Sequence, residues 1–145
     1  KRKRLIAKEL KRYDVKEILG INQNRLVEIP ELESSRRKVD PGGIYKADVV
    51  FVPLEDGDRT IALKKMNKRV ITVDLNPLSR TALTADITIV DNIVRAVTLI
   101  IDRIKYHKNN SCIGELENIV KSYNNNETLS NAVYALRSSK SLSGN

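Results

Sequence analysis

The chain has 145 residues, which suits one compact domain around a single core rather than two independent ones. With 41% hydrophobic and 30% charged residues it matches globular composition and excludes a disordered or fibrous class. Its 26 Lys and Arg against 18 Asp and Glu give a formal charge of +8, which suits nucleic acid, an anionic membrane or phosphate-bearing small molecules without choosing among them.

Leu5, Ile6 and Leu10, separated by Lys and Arg, predict an amphipathic helix running to about Tyr13. Val15 to Ile21 reads as a short strand closed by Gly20, and Asn22 to Gly43, with prolines, serines and charges but no sustained period, as a long irregular connection. Asp48 to Pro53 is a continuous apolar run, the pattern of a parallel strand covered on both faces. A helix within Asp58 to Met66, a strand over Arg69 to Leu75, a helical segment around Ser79 to Thr84 and a strand over Asp86 to Val90 follow. Asp91 is then expected to cap a helix from Asn92 to Lys108, with Ile93, Val97, Ile100, Ile101 and Ile104 on one face.

Beyond Asn109, apolar residues at helical spacing predict two short helices, separated by Asn124-Asn125-Asn126, and the serine-rich stretch Ser138 to Asn145 is expected to be mobile. Strands alternating with helices imply an α/β fold: a Rossmann-like, mainly parallel sheet with flanking helices, plus C-terminal helices. The expected division is an α/β region over 1–108 and a helical segment with its tail over 109–145.

No apolar run approaches the roughly 20 residues needed to span a bilayer, and the basic start leads into an amphipathic segment, so no membrane association and a cytoplasmic location are expected. The single cysteine, Cys112, has neither a disulfide partner nor a metal-site partner, and the lone His107 among lysines supports neither a triad nor a zinc site. No glycine-rich phosphate loop is present, which argues against a P-loop nucleotidase or a conventional dinucleotide-binding dehydrogenase.

Ligands of open α/β sheets gather beyond the carboxyl ends of the strands, and each loop expected there carries a polar cluster. The first is Leu54-Glu55-Asp56-Gly57-Asp58-Arg59-Thr60, whose carboxylates can orient a metal-bound nucleotide or an amine while Arg59 and the helix start contact an anion; a capped, solvated turn uses the same residues. The second is Asp74-Leu75-Asn76-Pro77-Leu78-Ser79-Arg80-Thr81, where an acid at a strand end suits ribose or base and Arg80 with Thr81 suits phosphate, the alternative being an Asx turn ended by proline. Asp91-Asn92 forms the third, most simply a helix cap. Arg36-Arg37-Lys38 reads as a solvated face that an anionic substrate can also use.

In order, these clusters resemble the archaeal phosphopantothenate synthetases, also called 4-phosphopantoate-beta-alanine ligases. The matching stretches are SSRRKVDPGGIYKADVVFVPLEDGDRT, from Ser34 to Thr60, and VITVDLNPLSRTALTADITIVDNIVRA, from Val70 to Ala96. The resemblance implies ATP-dependent joining of 4-phosphopantoate to beta-alanine, giving 4'-phosphopantothenate for coenzyme A, with AMP and pyrophosphate released. It implies an acyl-adenylate route, in which cations and donors must hold the phosphates as charge builds there. It places ATP on Asp74, Leu75, Asn76, Arg80, Thr81, Asn92 and Ile93. Asp56, Asp58 and Arg59 are candidates for substrate or magnesium handling, because their loop opens at the same sheet edge; no protein-held metal is assigned.

The resemblance further implies a homodimer and small-molecule rather than nucleic-acid partners. Family members carry a long N-terminal segment that supplies part of the ATP and phosphopantoate pocket, and the start at Lys1 instead of methionine predicts sequence upstream, so this chain is expected to be a partial enzyme. Two rivals stand beside this reading. One is a generic Rossmann-like module that binds adenine nucleotide without phosphopantoate. The other is a basic nucleic-acid-binding domain, against which the acidic LEDGD loop and the lack of a recognised motif count.

Overall fold

The computed structural model describes residues 2–21, 25–33 and 35–140. The chain forms two compact units, Lys1–Asp48 and Val49–Asn145. In the first, helix α1 (Arg2–Lys11) buries Ala7 while Leu5 and Ile6 stay exposed, and Asp14 breaks the turn with a φ of 56°. The strand expected over Val15 to Ile21 does not form. Gly20 adopts a φ of +78°, and its N–H donates to Asp40 Oδ2 at 3.3 Å, a turn contact where a strand would need a ladder.

The stretch expected to be irregular holds a small antiparallel pair, and its residues 22–24 and 34 lie outside the described residues. Strands β1 (Val27–Glu28) and β2 (Lys38–Val39) pair with Val27 opposite Val39, joined through a 3-10 turn at Ser35–Arg37. Arg37 Nε meets Glu28 Oε1 at 3.2 Å across the pair, and Ile29, Leu32 and Val39 are buried. Two-residue strands are too short to show a period, which is why the sequence pattern missed them.

The second unit is an α/β layer. Parallel strands β3 (Val49–Val52), β4 (Arg69–Val73) and β5 (Ile87–Ile89) lie in sequence order, with Phe51 opposite Ile71 and Ile71 opposite Ile87. Helices α2 (Gly57–Lys65) and α3 (Arg80–Thr84) make the crossovers. Val50, Val52, Leu63, Val70, Thr72 and Ala82 are buried. Thr72 Oγ1 donates to Val52 O at 2.8 Å, and Thr88 Oγ1 to Ala82 O at 3.0 Å, so these two buried hydroxyls are satisfied by backbone carbonyls. Contrary to the expectation of a strand covered on both faces, β3 alternates: Val49 and Phe51 are 54% and 44% exposed. The helices cover only one side of it.

Helix α4 (Ile93–Asn110) is capped by Asn92, whose Oδ1 accepts from Val94 N at 2.9 Å, and not by Asp91 as expected. Asp91 instead accepts from Arg95 and from Asn92 N, and the Arg95 pairing, followed by that backbone bond, holds its carboxyl below the ordinary value. Of α4 only Ala96 is buried, and Ile101 and Ile104 on the expected apolar face are 46% and 60% exposed. Helix α5 (Ile113–Ser122) buries nothing. Helix α6 (Asn125–Lys140) buries Leu129 and packs on α3 and β5. The asparagine triplet begins this helix: Asn124 Oδ1 accepts from Glu127 N at 3.2 Å. The tail expected to be mobile is helical over 138–140, and 141–145 lie outside the described residues.

One carboxylate binds three elements at the amino edge of the sheet. Asp86 accepts from Lys64 Nζ at 2.6 and 2.7 Å, from Arg69 NH1 at 3.1 Å and from Val70 N at 2.8 Å, joining the end of α2 to the starts of β4 and β5. Partial burial pushes its pKa up, but the bonds from Lys64, Val70 N and Arg69 outweigh this and leave it below the usual 3.8. A carboxyl whose pKa is depressed in the folded state contributes stability above its unfolded pKa and loses it as pH falls through the folded value. Asp86→Asn is expected to cost about 1–2 kcal/mol at pH 7, at the low end because the cations are part-exposed. The gap between wild type and variant should shrink as pH falls below the ordinary carboxylate range, as read by urea unfolding at pH 7 and pH 3.

Candidate nucleotide site at the carboxyl edge

The three loops leaving the carboxyl ends of β3, β4 and β5 meet at one edge, and Asp74 N donates to Ile89 O at 3.0 Å, extending the β4 to β5 ladder to the point where they begin. Asp56, half-buried, is the N-cap of α2, with Oδ1 accepting from Arg59 N at 3.3 Å. Its own N–H donates to Thr81 Oγ1 at 2.9 Å, and Thr81, fully buried, donates to Glu55 Oε1 at 3.3 Å. Glu55 Oε1 also accepts from Gly57 N at 3.3 Å. The hydroxyl of Thr81 therefore ties the start of α3 to the loop before α2.

The start of α2 lies against Arg80. A Cβ on Gly57 would sit 2.9 Å from Arg80 Cβ and 3.2 Å from Nε, so only glycine allows this approach. Arg80 NH1 reaches Asp58 Oδ1 at 3.0 Å, both side chains being more than half exposed, and Arg59 Nε lies 3.7 Å from Asp56 Oδ2. Two guanidinium groups and a helix N-terminus thus share one mouth, a combination suited to a polyanion.

In the next loop Asp74 is buried and engaged: Oδ1 accepts from Asn76 N at 2.9 Å and Oδ2 from the Ser79 hydroxyl. Ser79 Oγ in turn caps α3, accepting from Ala82 N at 3.0 Å, while Asn76 Oδ1 accepts from Leu78 N at 3.0 Å. This is the Asx-turn geometry, closed by the buried Pro77. Leu75 projects outward, 67% exposed. At the third loop Asn92 spends its side chain on the cap of α4, and Ile93 is half-buried at its first position.

Of the residues singled out in the sequence, the structure brings Asp56, Asp58, Arg59, Arg80 and Thr81 into one bonded cluster. Asp74, Leu75 and Asn76 form the turn that sets α3, and Asn92 and Ile93 stand on the neighbouring loop. Sequence reasoning passed over Gly57, Glu55 and Ser79 as site-forming residues, although all three sit inside the motifs it quoted. Beside the turn opens a cavity of about 560 Å3 between Pro77, Leu78 and Leu83 and the α6 residues Leu129, Val133 and Tyr134. Among the described residues no group of three or more His, Cys, Asp or Glu is placed to hold a metal ion.

The chain resembles known proteins over most of its length. A family described as phosphopantothenate/pantothenate synthetase matches residues 1–139. A 4-phosphopantoate-beta-alanine ligase of Thermococcus kodakarensis is 56% identical over 137 residues, covering 94% of this chain and 51% of the relative. Its counterpart in Thermococcus onnurineus is 54% identical over the same shares, and that of Methanosarcina mazei is 46% identical over 89% of this chain and 49% of the relative. The chain spans about half the length of the curated relatives it matches. By the extent of that family match, the chain belongs to the phosphopantothenate/pantothenate synthetase family.

Proposed function

We propose that this chain carries the nucleotide-handling part of an ATP-dependent 4-phosphopantoate-beta-alanine ligase of coenzyme A biosynthesis, forming 4'-phosphopantothenate with release of AMP and pyrophosphate. The observation that carries the reading is the Arg80 cluster: a guanidinium laid over the first residue of α2, with Arg59 and the capped start of that helix beside it. The substrates are 4-phosphopantoate, beta-alanine and magnesium-ATP. Arg80 and Arg59 hold and orient phosphate oxygens, stabilising charge that builds on them. Asp56 and Asp58 supply carboxylates for the magnesium ion or the incoming amine. Asn76 and Leu75 lie where a ribose or base would rest, next to the apolar cavity formed with α6. The other half of the relatives' length supplies the rest of the pocket, and the setting is the cytoplasm.

The assembly is a homodimer. Val94 (73% exposed), Ile101 and Ile104 on α4, with Ile113 (76%), Leu116 and Val120 on α5, leave two apolar helix faces open. Ile104→Glu combined with Val120→Glu is expected to shift the chain to monomer in sedimentation equilibrium; an unchanged mass would count against these faces.

Calorimetric titration with magnesium-ATP tests the nucleotide site. Arg80→Ala is expected to weaken binding about 10- to 100-fold, the loss of a charge-assisted bond of roughly 1.5–3 kcal/mol. Added 4-phosphopantoate, and not pantoate, should alter ATP affinity; a response to ATP alone would favour a generic adenine-nucleotide module. Undiminished ATP binding by the Arg80 variant would remove the cluster from the site.

A further inference from the structure

One side chain at the start of α6 is hydrogen-bonded directly to the end of α3. Asn125, the first residue of α6, donates its amide Nδ2 to Ala82 O at 2.9 Å and to Ala85 O at 3.1 Å. Its Oδ1 accepts from the Tyr123 hydroxyl at 3.1 Å, and that hydroxyl also accepts from Thr88 N at 3.2 Å and lies 3.3 Å from Thr88 O, closing the free edge of β5. Asn125 therefore bridges the outer strand to the carbonyl end of α3.

Helix α3 is five residues long, too short to hold its own setting, since a single turn is unfavourable alone. Its carboxyl-end carbonyls have no partners within the helix and must find them elsewhere. Ser79 fixes one end from within the Asp74 turn. The other end is held by Asn125 and by Thr88 Oγ1, which donates to Ala82 O at 3.0 Å. Between the two clamps stand Arg80 and Thr81. A rotation of so short a helix moves both side chains at once.

We infer that Asn125, backed by Tyr123, is a positioning residue for Arg80, which meets the phosphates, and for Thr81, which ties α3 to the loop before α2, so that the start of α6 belongs to the nucleotide site without touching the ligand. This rests on the proposed ATP reading for its functional readout, but the clamp can be checked apart from it. In Asn125→Asp the shape and the acceptor for Tyr123 are kept while both donors are lost.

The test uses the 145-residue chain, at temperatures below the melting midpoint of each variant. For Asn125→Asp and Tyr123→Phe, affinity for magnesium-ATP is expected to fall about tenfold and about threefold, respectively. Affinity for adenosine, which lacks phosphates, should stay within twofold of wild type, a selectivity that general loosening of the fold would not produce. In parallel, amide exchange at Leu83 and Ala85 should quicken in Asn125→Asp while the β4 amides of Val70 and Thr72 keep their protection. Unchanged exchange at α3 overturns the clamp whatever the nucleotide data show. Quickened exchange with wild-type ATP affinity overturns the link to binding. Quickened exchange in a chain whose wild type binds no ATP supports the clamp and overturns nucleotide binding by this chain on its own.

Discussion

Everything at the carboxyl edge of this sheet depends on a carboxylate at the opposite edge. Asp86 gathers the ammonium of Lys64, the guanidinium of Arg69 and the N–H of Val70, and so fixes the end of α2 against the starts of two strands. Parallel strands lack the tight hairpins that set register in antiparallel pairs, so register must come from packing and from such cross-links. With β4 and β5 pinned at their beginnings, their ends arrive level, and the loops bearing Asp74 and Asn92 leave the sheet side by side. An uncompensated carboxylate in this part-buried position would be costly; three donors turn it into a joint.

The site then arises from two short helices set by side chains rather than by length. Asp56 caps α2, Ser79 caps α3, and Thr81 links the two through the backbone of Asp56. The contact between Gly57 and Arg80 fixes the spacing, because any larger residue would force the helices apart. What emerges is a mouth with the exposed guanidinium of Arg80 and the half-buried one of Arg59 over a helix start, while the buried carboxylate of Asp74 faces inward on its own turn and serves the geometry of α3.

The α/β core was legible because its signals are long and local. The alternation of strands with helices and the polar clusters at strand ends follow from the sheet's need to bury a face and free its loops, whereas the apolar run at Val49–Val52 marked a strand but overstated its cover, since Val49 and Phe51 stay exposed. What the sequence hid was relational. Val15, Ile18, Leu19 and Ile21 have strand composition, but composition supplies no ladder partner, and Gly20 turned the chain instead. Asp91 and Asn92 are both good caps; only the direction of α4 decides that Asn92 meets Val94 N while Asp91 takes Arg95. The β1 to β2 pair is too brief to carry a period. Asn125 looked like part of a helix breaker, because its partners lie about 40 residues away, on α3. Of the candidate site, the gathering of Asp56, Asp58, Arg59, Arg80 and Thr81 at one sheet edge was legible from their motifs, whereas the parts of Glu55, Gly57 and Ser79 and the bonds among them were not.

Arg80 and Asp58 illustrate why an ion pair at the site mouth is compatible with a nucleotide-binding role. Both side chains are more than half exposed, so the pair is screened and contributes about 0–1 kcal/mol. A charge-assisted bond from the same guanidinium to a phosphate oxygen contributes roughly 1.5–3 kcal/mol, and more as the mouth closes and water leaves. In the proposed nucleotide complex, exchange of partners would therefore be downhill, and Asp58, released, would be available to a cation arriving with the phosphates. The buried bonds behave in the opposite way. Thr81 and Asp74 have their oxygens satisfied inside the fold, and freeing either would leave a buried backbone donor unpaired. The division follows burial: exposed charges are free to change partners with the ligand, and buried polar groups hold the loops in which those charges stand.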